Sequence, residues 1–514
     1  MSKRVLRPSQ TASGALSRRG FLGGGAALVS GLAVPGLVAG AARPAHAARA
    51  ARTARAATAT RVSTADITFT TAAQAEALQA LGRTTLRTPG SLPNPALAAG
   101  TDTLPGIEHI VVLMMENHSY DNIFGMLGRG DGYTLDSNGL PTATNPYANG
   151  QIQHAFRMPT TCQLSGLPSQ EWMTAHMAYN NGAMDGFVQS PTGPYTSTIV
   201  GGVAMGYWTA DDLPFTYSLA QNFPIGDRWF CSLLGQTDPN RRYVIGGTSA
   251  GMTDDGGTSY LSLVVPAGGT IFNTLDAHRI TWENYVTTYP LGATPELFPL
   301  DDAWPELFHN KSFNDFFSDA ASGNLPAFSF LDENFSTTSE EDPQNVVNGE
   351  AMMAQVVQAV TDSPLWKSTL LVIMYDEHGG YYDHVAPPAA IPPDNISPMV
   401  QPGESTYDGF ARYGFRVPSV VVSPYAKQNY VSSVVYDHTS VLAMVERKWN
   451  LPALTYRDAN ANDLTDFLDL DAMSAGQPTF PTLPKLAAPG NNAARLACST
   501  TGPGTIPPAG SITG

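Results

Sequence analysis

The stretch LLVIMYDEHGG, residues 370–380, decides the fold. It begins with five consecutive apolar residues, and the acidic residues Asp376 and Glu377 follow almost at once. Residues 110–115 (IVVLMM) and 419–422 (SVVV) are similar runs, in which apolar and polar side chains do not alternate. Such runs are typical of strands that are buried on both faces of a mainly parallel sheet. They therefore predict an α/β fold that is built in layers.

The segments around these runs indicate how the chain is organised. Residues 349–361 and 440–448 favour helices that would cover the two faces of the sheet, and residues 71–81 favour a further short helix. We expect a catalytic domain over residues 104–475. A linker with an N-terminal extension (48–103) would precede it, and a Pro/Gly-rich tail (476–514) with little core of its own would follow.

Acidic and amide side chains stand where two of the predicted strands end. Glu116 and Asn117 follow the first run, and Asp376 and Glu377 follow the second. Ligands of open α/β sheets bind beyond the carboxyl ends of the strands. Such a stretch alone is more typical of a solvated turn, but two acidic ends on one sheet predict a divalent cation that all four residues bind. Oxygen donors favour Ca, Mg, Mn or Fe over thiolate-bound zinc and leave the metal's identity open.

A hydroxyl side chain lies between these two stretches in the segment LGQTDPNRR, residues 234–242. Thr237 precedes Asp238 and Pro239, and a proline is common in the first turn of a helix. The N–H groups at such a helix start, together with a nearby cation, would hold phosphate oxygens and favour a threonine alkoxide. Taken by itself, a Thr before Asp-Pro is more typical of a helix cap.

Four motifs in order resemble the phosphoesterase family of bacterial phospholipases C and acid phosphatases. They are ENHSYD (116–121), TDPNR (237–241), DEHGGYYDHV (376–385) and GFRVP (414–418), and the resemblance runs from about residue 107 to about residue 450. It implies an alkaline-phosphatase-like three-layer α/β/α sandwich with a mainly parallel sheet and an inserted substrate-pocket region. It also implies an in-line attack by Thr237 on phosphorus, which gives a phospho-threonine that water hydrolyses.

The resemblance assigns roles to several residues. The divalent metal would be held by Glu116, Asn117, Thr237, Asp376 and Glu377. The catalytic set would comprise Thr237, Asn240, Arg241, His384 and His438. Arg241 would position either the motif or the substrate. Each of the two histidines either binds phosphate and orients ligands or has a purely structural role.

Two positions mark departures from the family pattern. The family usually has Glu-His-Pro where this chain has Glu341-Asp342-Pro343, and Gln170 stands where a histidine usually precedes Trp172. His176 is present four residues before the Asn-Asn-Gly stretch. Gln170, His176 and Asp342 are therefore candidate substrate-binding residues, since the two histidines that the family usually has there would donate to phosphate or protonate the leaving group.

The segment 154–217 is rich in large aromatic side chains. It separates the first strand from Thr237, as an inserted pocket wall would, and aromatic faces hold choline-like cations well. Ordinary core packing is the simpler interpretation.

Three functions remain open from the sequence. The first is a phospholipase C that acts on phosphatidylcholine or a similar lipid, and the second is an acid phosphatase that acts on phosphomonoesters. The same nucleophile and metal serve both, because the two differ only in whether the pocket accepts a second ester substituent. The third is an exported binding protein without catalysis, against which the retention of Thr237 and the metal ligands argues.

The N-terminus predicts export. Residues 1–47 contain basic residues and no acidic ones, and Ser17-Arg18-Arg19-Gly20-Phe21-Leu22 precedes a Gly/Ala-rich apolar stretch that ends at Ala47. This is the pattern of a twin-arginine signal peptide, which implies the twin-arginine export machinery as a partner and a secreted or wall-associated protein. No later run is long enough for a transmembrane helix. The net charge of −16 makes nucleic acid an unlikely partner.

Three cysteines are spread along the chain, at Cys162, Cys231 and Cys498. An odd number leaves at least one thiol free, and none has the spacing of a metal site. One disulfide is compatible with an exported protein.

Overall fold

The structure is a computed structural model. It describes residues 71–163, 168–189, 201–255, 266, 268–287, 289, 294, 297–298, 309–335, 337–490, 498 and 504–513. The predicted signal peptide and the predicted linker as far as residue 70 lie outside the described residues.

An eight-stranded sheet forms the centre of the fold, with the strand order β12-β6-β11-β10-β1-β9-β7-β8. Its strands are β1 (His109–Met115), β6 (Ile225–Gly226), β7 (Trp282–Val286), β8 (Asn310–Ser312), β9 (Phe328–Asp332), β10 (Thr369–Tyr375), β11 (Ser419–Val422) and β12 (Val431–Ser432). Two small ladders lie apart from it, formed by β2 (Thr144–Pro146) with β3 (Ile152–His154) and by β4 (Phe156–Arg157) with β5 (Gly206–Tyr207).

The pairing of the strands confirms the predicted sheet type. β1 pairs in parallel with both β9 and β10, and β9 pairs in parallel with β7. Among the described strands of the central sheet, only β11 runs antiparallel to both of its neighbours, β10 and β6. Every residue of β10 and β11 is buried. Since successive side chains point to opposite faces, both faces of the sheet are covered, which gives three layers.

Helices supply the covering layers. They are α1 (Thr71–Ala80), α2 (Tyr120–Phe124), α3 (Trp172–Tyr179), α4 (Pro214–Asn222), α5 (Thr237–Gly246), α6 (Ile271–His278), α7 (Phe313–Ser322), α8 (Val346–Asp362), α9 (Thr439–Trp449), α10 (Tyr456–Asn460) and α11 (Leu470–Ser474). The helices expected at 71–81, 349–361 and 440–448 are confirmed as α1, α8 and α9. No helix in the described part of the chain has both the length and the apolar character of a membrane span.

The C-terminal segment packs along the domain. Phe480 is buried and stacks on Phe223, with ring centroids 4.7 Å apart. Cys162 and Cys498 form a disulfide, and the third cysteine, Cys231, is free and buried. Phe480 of the predicted tail therefore belongs to the core of the catalytic domain, and Leu483, Leu486 and Ile506 pack against that core.

Candidate active site

Thr237 is the first residue of α5, and its hydroxyl faces the end of β1. Its Oγ1 donates a hydrogen bond to Glu116 Oε1 at 2.9 Å and lies 3.4 Å from Asn117 Oδ1. All three side chains are almost completely buried. The structure thus brings together the proposed nucleophile and two of the proposed metal ligands.

Asn117 joins this group to the end of β10. Its backbone is left-handed, with φ of 65°, and its N–H donates to Asp376 Oδ1 at 2.9 Å. The Nδ2 atom of Asn117 is buried and has no hydrogen-bond partner among the described residues. A Cβ at Gly379 would lie 1.8 Å from the carbonyl oxygen of Asn117, so only glycine permits this close approach of the two strand ends.

Glu377 points along its own loop. Its Oε2 accepts the N–H of Gly379 at 2.9 Å, and its N–H donates to Asp376 Oδ1 at 2.7 Å. Glu377 is fully buried, directly after the proposed ligand Asp376, and its Oε2 also lies 3.0 Å from His378 Nδ1.

Arg241 lies one turn after Thr237 on α5 and is completely buried. Carboxylates from three strand ends surround its guanidinium: Glu116 at 2.5 Å, Asp376 at 3.1 Å, Asp332 at 3.4 Å and Glu333 at 3.9 Å. Burial alone would lower the pKa of Arg241, but these four carboxylates outweigh it and raise that pKa. The guanidinium is therefore permanently charged, and it partly neutralises the acidic cluster.

Asp332 and Glu333 were not identified from the sequence. They end β9, the neighbour of β1 on the side opposite β10, and so form a third acidic strand end. The sequence does contain the pattern of a strand end, because the run FSFL at residues 328–331 is followed directly by Asp332 and Glu333. It was missed because that run is short and contains a serine.

The charge balance of the cluster fits a bound cation. Burial, followed by the neighbouring Asp376, raises the pKa of Glu116 well above its usual range, and Arg241 opposes this. Four carboxylates around one guanidinium leave an excess of buried negative charge, which is costly unless a further positive charge is near. Among the described residues, no three Asp, Glu, His or Cys side chains already form a metal-binding cluster. The hard oxygen donors nevertheless suit a divalent cation in chemical type.

Asn240 supports the turn that carries Thr237. Its Oδ1 accepts the N–H groups of Ser232 and Leu233, and its Nδ2 donates to the carbonyl of Gln236 at 3.0 Å. Its side-chain amide is thus occupied by the backbone of the preceding loop. The start of the helix is also less open than expected, because Asp255 Oδ1 accepts the N–H of Asp238 at 2.8 Å.

His438 lies directly behind Asp376. Its Nε2 is 2.6 Å from the carbonyl oxygen of Asp376, which makes Nε2 the protonated nitrogen of a neutral ring. Burial lowers the pKa of His438. Its position is that of a residue that supports a ligand-bearing loop.

His384 belongs to an ion network that links other parts of the family motifs. Its Nδ1 lies 2.8 Å from Asp121 Oδ2, and its Nε2 lies 3.5 Å from Asp131 Oδ1. Arg416 bonds the same Asp121 and also Asp383, at 3.1 and 2.9 Å. These contacts favour the structural role for His384.

We expect the contribution of His384 to stability to depend on pH. Burial lowers its pKa, but the hydrogen bond and charge of Asp121, with Asp383, outweigh burial and raise that pKa above its ordinary value. The stabilisation should be complete below about pH 6.5 and lost as pH rises through the raised pKa. His384→Gln should therefore lower the free energy of unfolding by about 1 kcal/mol more in acid than in alkaline solution. Urea unfolding of both proteins measures this, and an equal loss at both pH values would contradict it.

The three predicted substrate-binding residues have different surroundings. His176 Nδ1 donates to the carbonyl oxygen of Trp172 at 2.8 Å, and the ring stacks on Tyr407, with centroids 3.9 Å apart. Burial lowers the pKa of His176 to about 4. Gln170 is buried just before α3, and Asp342 is half-buried at a cis peptide bond with Pro343. None of the three is hydrogen-bonded to Thr237 in the described structure.

The aromatic residues of segment 154–217 lie mostly in the core. The buried ones are Phe156, Trp172, Phe187, Tyr207, Trp208, Phe215 and Tyr217, whereas Tyr195 lies outside the described residues. For these buried side chains, the interpretation as ordinary core packing therefore holds.

Comparison with known proteins agrees with the motifs. The model of the phosphoesterase family matches residues 107–452. The chain is 29% identical to phospholipase C A of Mycobacterium tuberculosis over 452 residues, which cover 76% of this chain and 82% of that protein. It is 30% identical to the non-hemolytic phospholipase C of Burkholderia pseudomallei over 458 residues, 76% of this chain and 63% of that protein. A solved protein of the alkaline phosphatase superfamily from Vibrio parahaemolyticus gives a TM-score of 0.30 at 13% identity, with 66% and 76% of the two chains covered. The chain belongs to the phosphoesterase family and is a hydrolase that acts on phosphoric ester bonds.

Proposed function

We propose that this protein is an exported, metal-dependent phosphodiesterase of the phospholipase C type, with Thr237 as its nucleophile. One observation carries the proposal: the buried hydroxyl of Thr237 lies 2.9 Å from Glu116 at the carboxyl end of the sheet, beside Asn117. A hydroxyl is a weak nucleophile until a neighbouring group takes its proton or stabilises its alkoxide. Here a carboxylate is already in place.

In the first step, Thr237 Oγ1 attacks phosphorus and its proton passes toward Glu116 Oε1. The bond between phosphorus and the ester oxygen of the leaving alcohol breaks, and the alkoxide that leaves takes a proton from solvent water. A divalent cation, held by Glu116, Asn117, Thr237, Asp376 and Glu377, would supply Lewis acidity toward a phosphoryl oxygen. Asn117 Nδ2, which has no partner among the described residues, is available to donate to a second phosphoryl oxygen.

In the second step, water attacks the phospho-threonine on phosphorus. The attacking water loses one proton to solvent, the bond between phosphorus and Thr237 Oγ1 breaks, Oγ1 regains its proton from Glu116, and a phosphorylated head group leaves. With a phospholipid as substrate, the first product is diacylglycerol. Both relatives described above carry the name phospholipase C, which favours a phospholipid such as phosphatidylcholine as the substrate.

Export by the twin-arginine route completes the proposal. The paired arginines Arg18 and Arg19 before a Gly/Ala-rich apolar stretch support it. This route carries folded proteins, so the metal would be bound before export.

The test is hydrolysis of p-nitrophenylphosphorylcholine and p-nitrophenyl phosphate by the purified protein, with and without chelator. We expect a preference for the choline diester that is lost with chelator and restored by a divalent metal. A preference for the monoester would instead indicate an acid phosphatase. Full activity in chelator would contradict the role of the metal, and no activity after a screen of metals would favour a binding protein.

A further inference from the structure

Arg241 connects the helix of the proposed nucleophile to the sheet. It follows Thr237 by four residues on α5, and residues four apart lie on the same face of a helix. Both side chains therefore point toward the carboxyl edge of the sheet. Thr237 reaches β1, whereas Arg241 reaches β1, β9 and β10 together.

The guanidinium has no donor left for a substrate. Its Nε donates to Asp376 Oδ2, one terminal nitrogen donates to Thr294 Oγ1 and Asp332 Oδ1, and the other to the Met115 carbonyl and Glu116 Oε2. These contacts account for the five N–H groups of an arginine. Arg241 is also completely buried, so a phosphate would have to displace a protein group to reach it.

Asp332 fixes the far side of this guanidinium. Its Oδ1 accepts the hydroxyl of Thr294 at 2.7 Å, and its Oδ2 accepts the N–H of the same residue at 2.8 Å. A carboxylate that is held at both oxygens presents a rigid acceptor to Arg241. Because the guanidinium is planar, the edge of Arg241 that faces Glu116 is then fixed as well.

We propose that Arg241 and Asp332 are positioning residues that fix the Thr237 hydroxyl relative to the carboxylates of Glu116 and Asp376. We further propose that Arg241 does not bind the substrate. This inference rests on the proposed function of Thr237. Reactions of this kind are sensitive to small displacements, because the attacking oxygen has to lie in line with the leaving group. The hydrogen bonds of Arg241 keep α5 at a fixed position relative to the carboxyl ends of β1, β9 and β10.

The test compares Arg241→Lys, Asp332→Asn and the control Arg242→Lys. Arg242 is the adjacent buried arginine of α5. It donates to the backbone carbonyls of Leu297 and Ser249, and its guanidinium lies over the ring of Phe298. Lysine keeps the charge but cannot reach three strands at once. We expect Arg241→Lys to lower kcat by about 100-fold and Asp332→Asn by about 10-fold, with KM within about threefold of the wild type. Arg242→Lys should lower the Tm but keep kcat.

Two results would overturn the inference. A rise in KM at constant kcat in Arg241→Lys would make Arg241 a substrate ligand. An equal loss of kcat in Arg242→Lys, in proportion to the loss of Tm, would reduce Arg241 to a general contributor to stability.

A second measurement does not depend on turnover. Calorimetric titration of the metal-free proteins with Mn²⁺ should give an affinity about 10-fold weaker in Arg241→Lys and Asp332→Asn, because Glu116 and Asp376 lose their orientation. Wild-type protein that hydrolyses no ester would defeat the proposed function. The titration would still decide the inference, and unchanged Mn²⁺ affinity in both variants would overturn it.

Discussion

Replacement of Thr237 by alanine should abolish hydrolysis, with kcat lowered by about 10⁴-fold or more. The reason is that Thr237 Oγ1 is the hydroxyl that stands against Glu116, at 2.9 Å, and alanine leaves no atom to attack phosphorus. Steady-state assays of p-nitrophenylphosphorylcholine hydrolysis measure this loss of kcat. Acid-quenched wild-type protein should in addition carry a phosphorylcholine group on Thr237 in mass spectra, and the variant should carry none.

Two matched variants distinguish chemistry from packing at this position. Thr237→Ser keeps the hydroxyl and should retain kcat within about tenfold, whereas Thr237→Val keeps the shape without the hydroxyl and should be as inactive as alanine. Activity in Thr237→Val would show that another group attacks phosphorus, and the proposed mechanism would then be wrong.

The main strands could be predicted because their runs are long, apolar and buried on both faces. The runs at 110–115 and 370–374 correspond to β1 and β10, which pair in parallel with Met114 beside Met374. That register places the acidic residues after both strands at the same edge, as the sequence suggested. The direction of β11 was not predictable, since a buried run of four residues reads the same for a parallel and an antiparallel strand.

The supporting contacts of the site could not be predicted, because they join residues that are distant in sequence. Arg416 and Asp121 are 295 positions apart, and Arg241 and Asp332 are 91 apart. A single sequence shows which residues are charged but not which of them meet. The same limit applies to His384, whose motif left phosphate binding and a structural role open and whose ring lies against the carboxylates of Asp121 and Asp131.

Replacement of Glu116 by glutamine should lower kcat by about 10³-fold. The two oxygens of Glu116 accept from Thr237 Oγ1 at 2.9 Å and from Arg241 at 2.5 Å. A glutamine has one oxygen and one amino group, so one of these two donors would lose its acceptor. With the oxygen turned to Arg241, the amino group faces Thr237 and cannot take its proton. With the amino group turned to Arg241, two donors oppose each other.

Glu350→Gln is the matched control for Glu116→Gln. Glu350 is also buried, but its carboxylate accepts the N–H groups of Phe215, Thr216 and Gly490. It is not hydrogen-bonded to Thr237 in the described structure. This control should lose thermal stability and keep kcat, whereas Glu116→Gln should lose kcat and also bind Mn²⁺ more weakly in calorimetry. Equal kcat values in the two variants would mean that Glu116 neither takes the proton of Thr237 nor holds the metal. The buried carboxylate next to the hydroxyl would then be a structural partner of Arg241 alone.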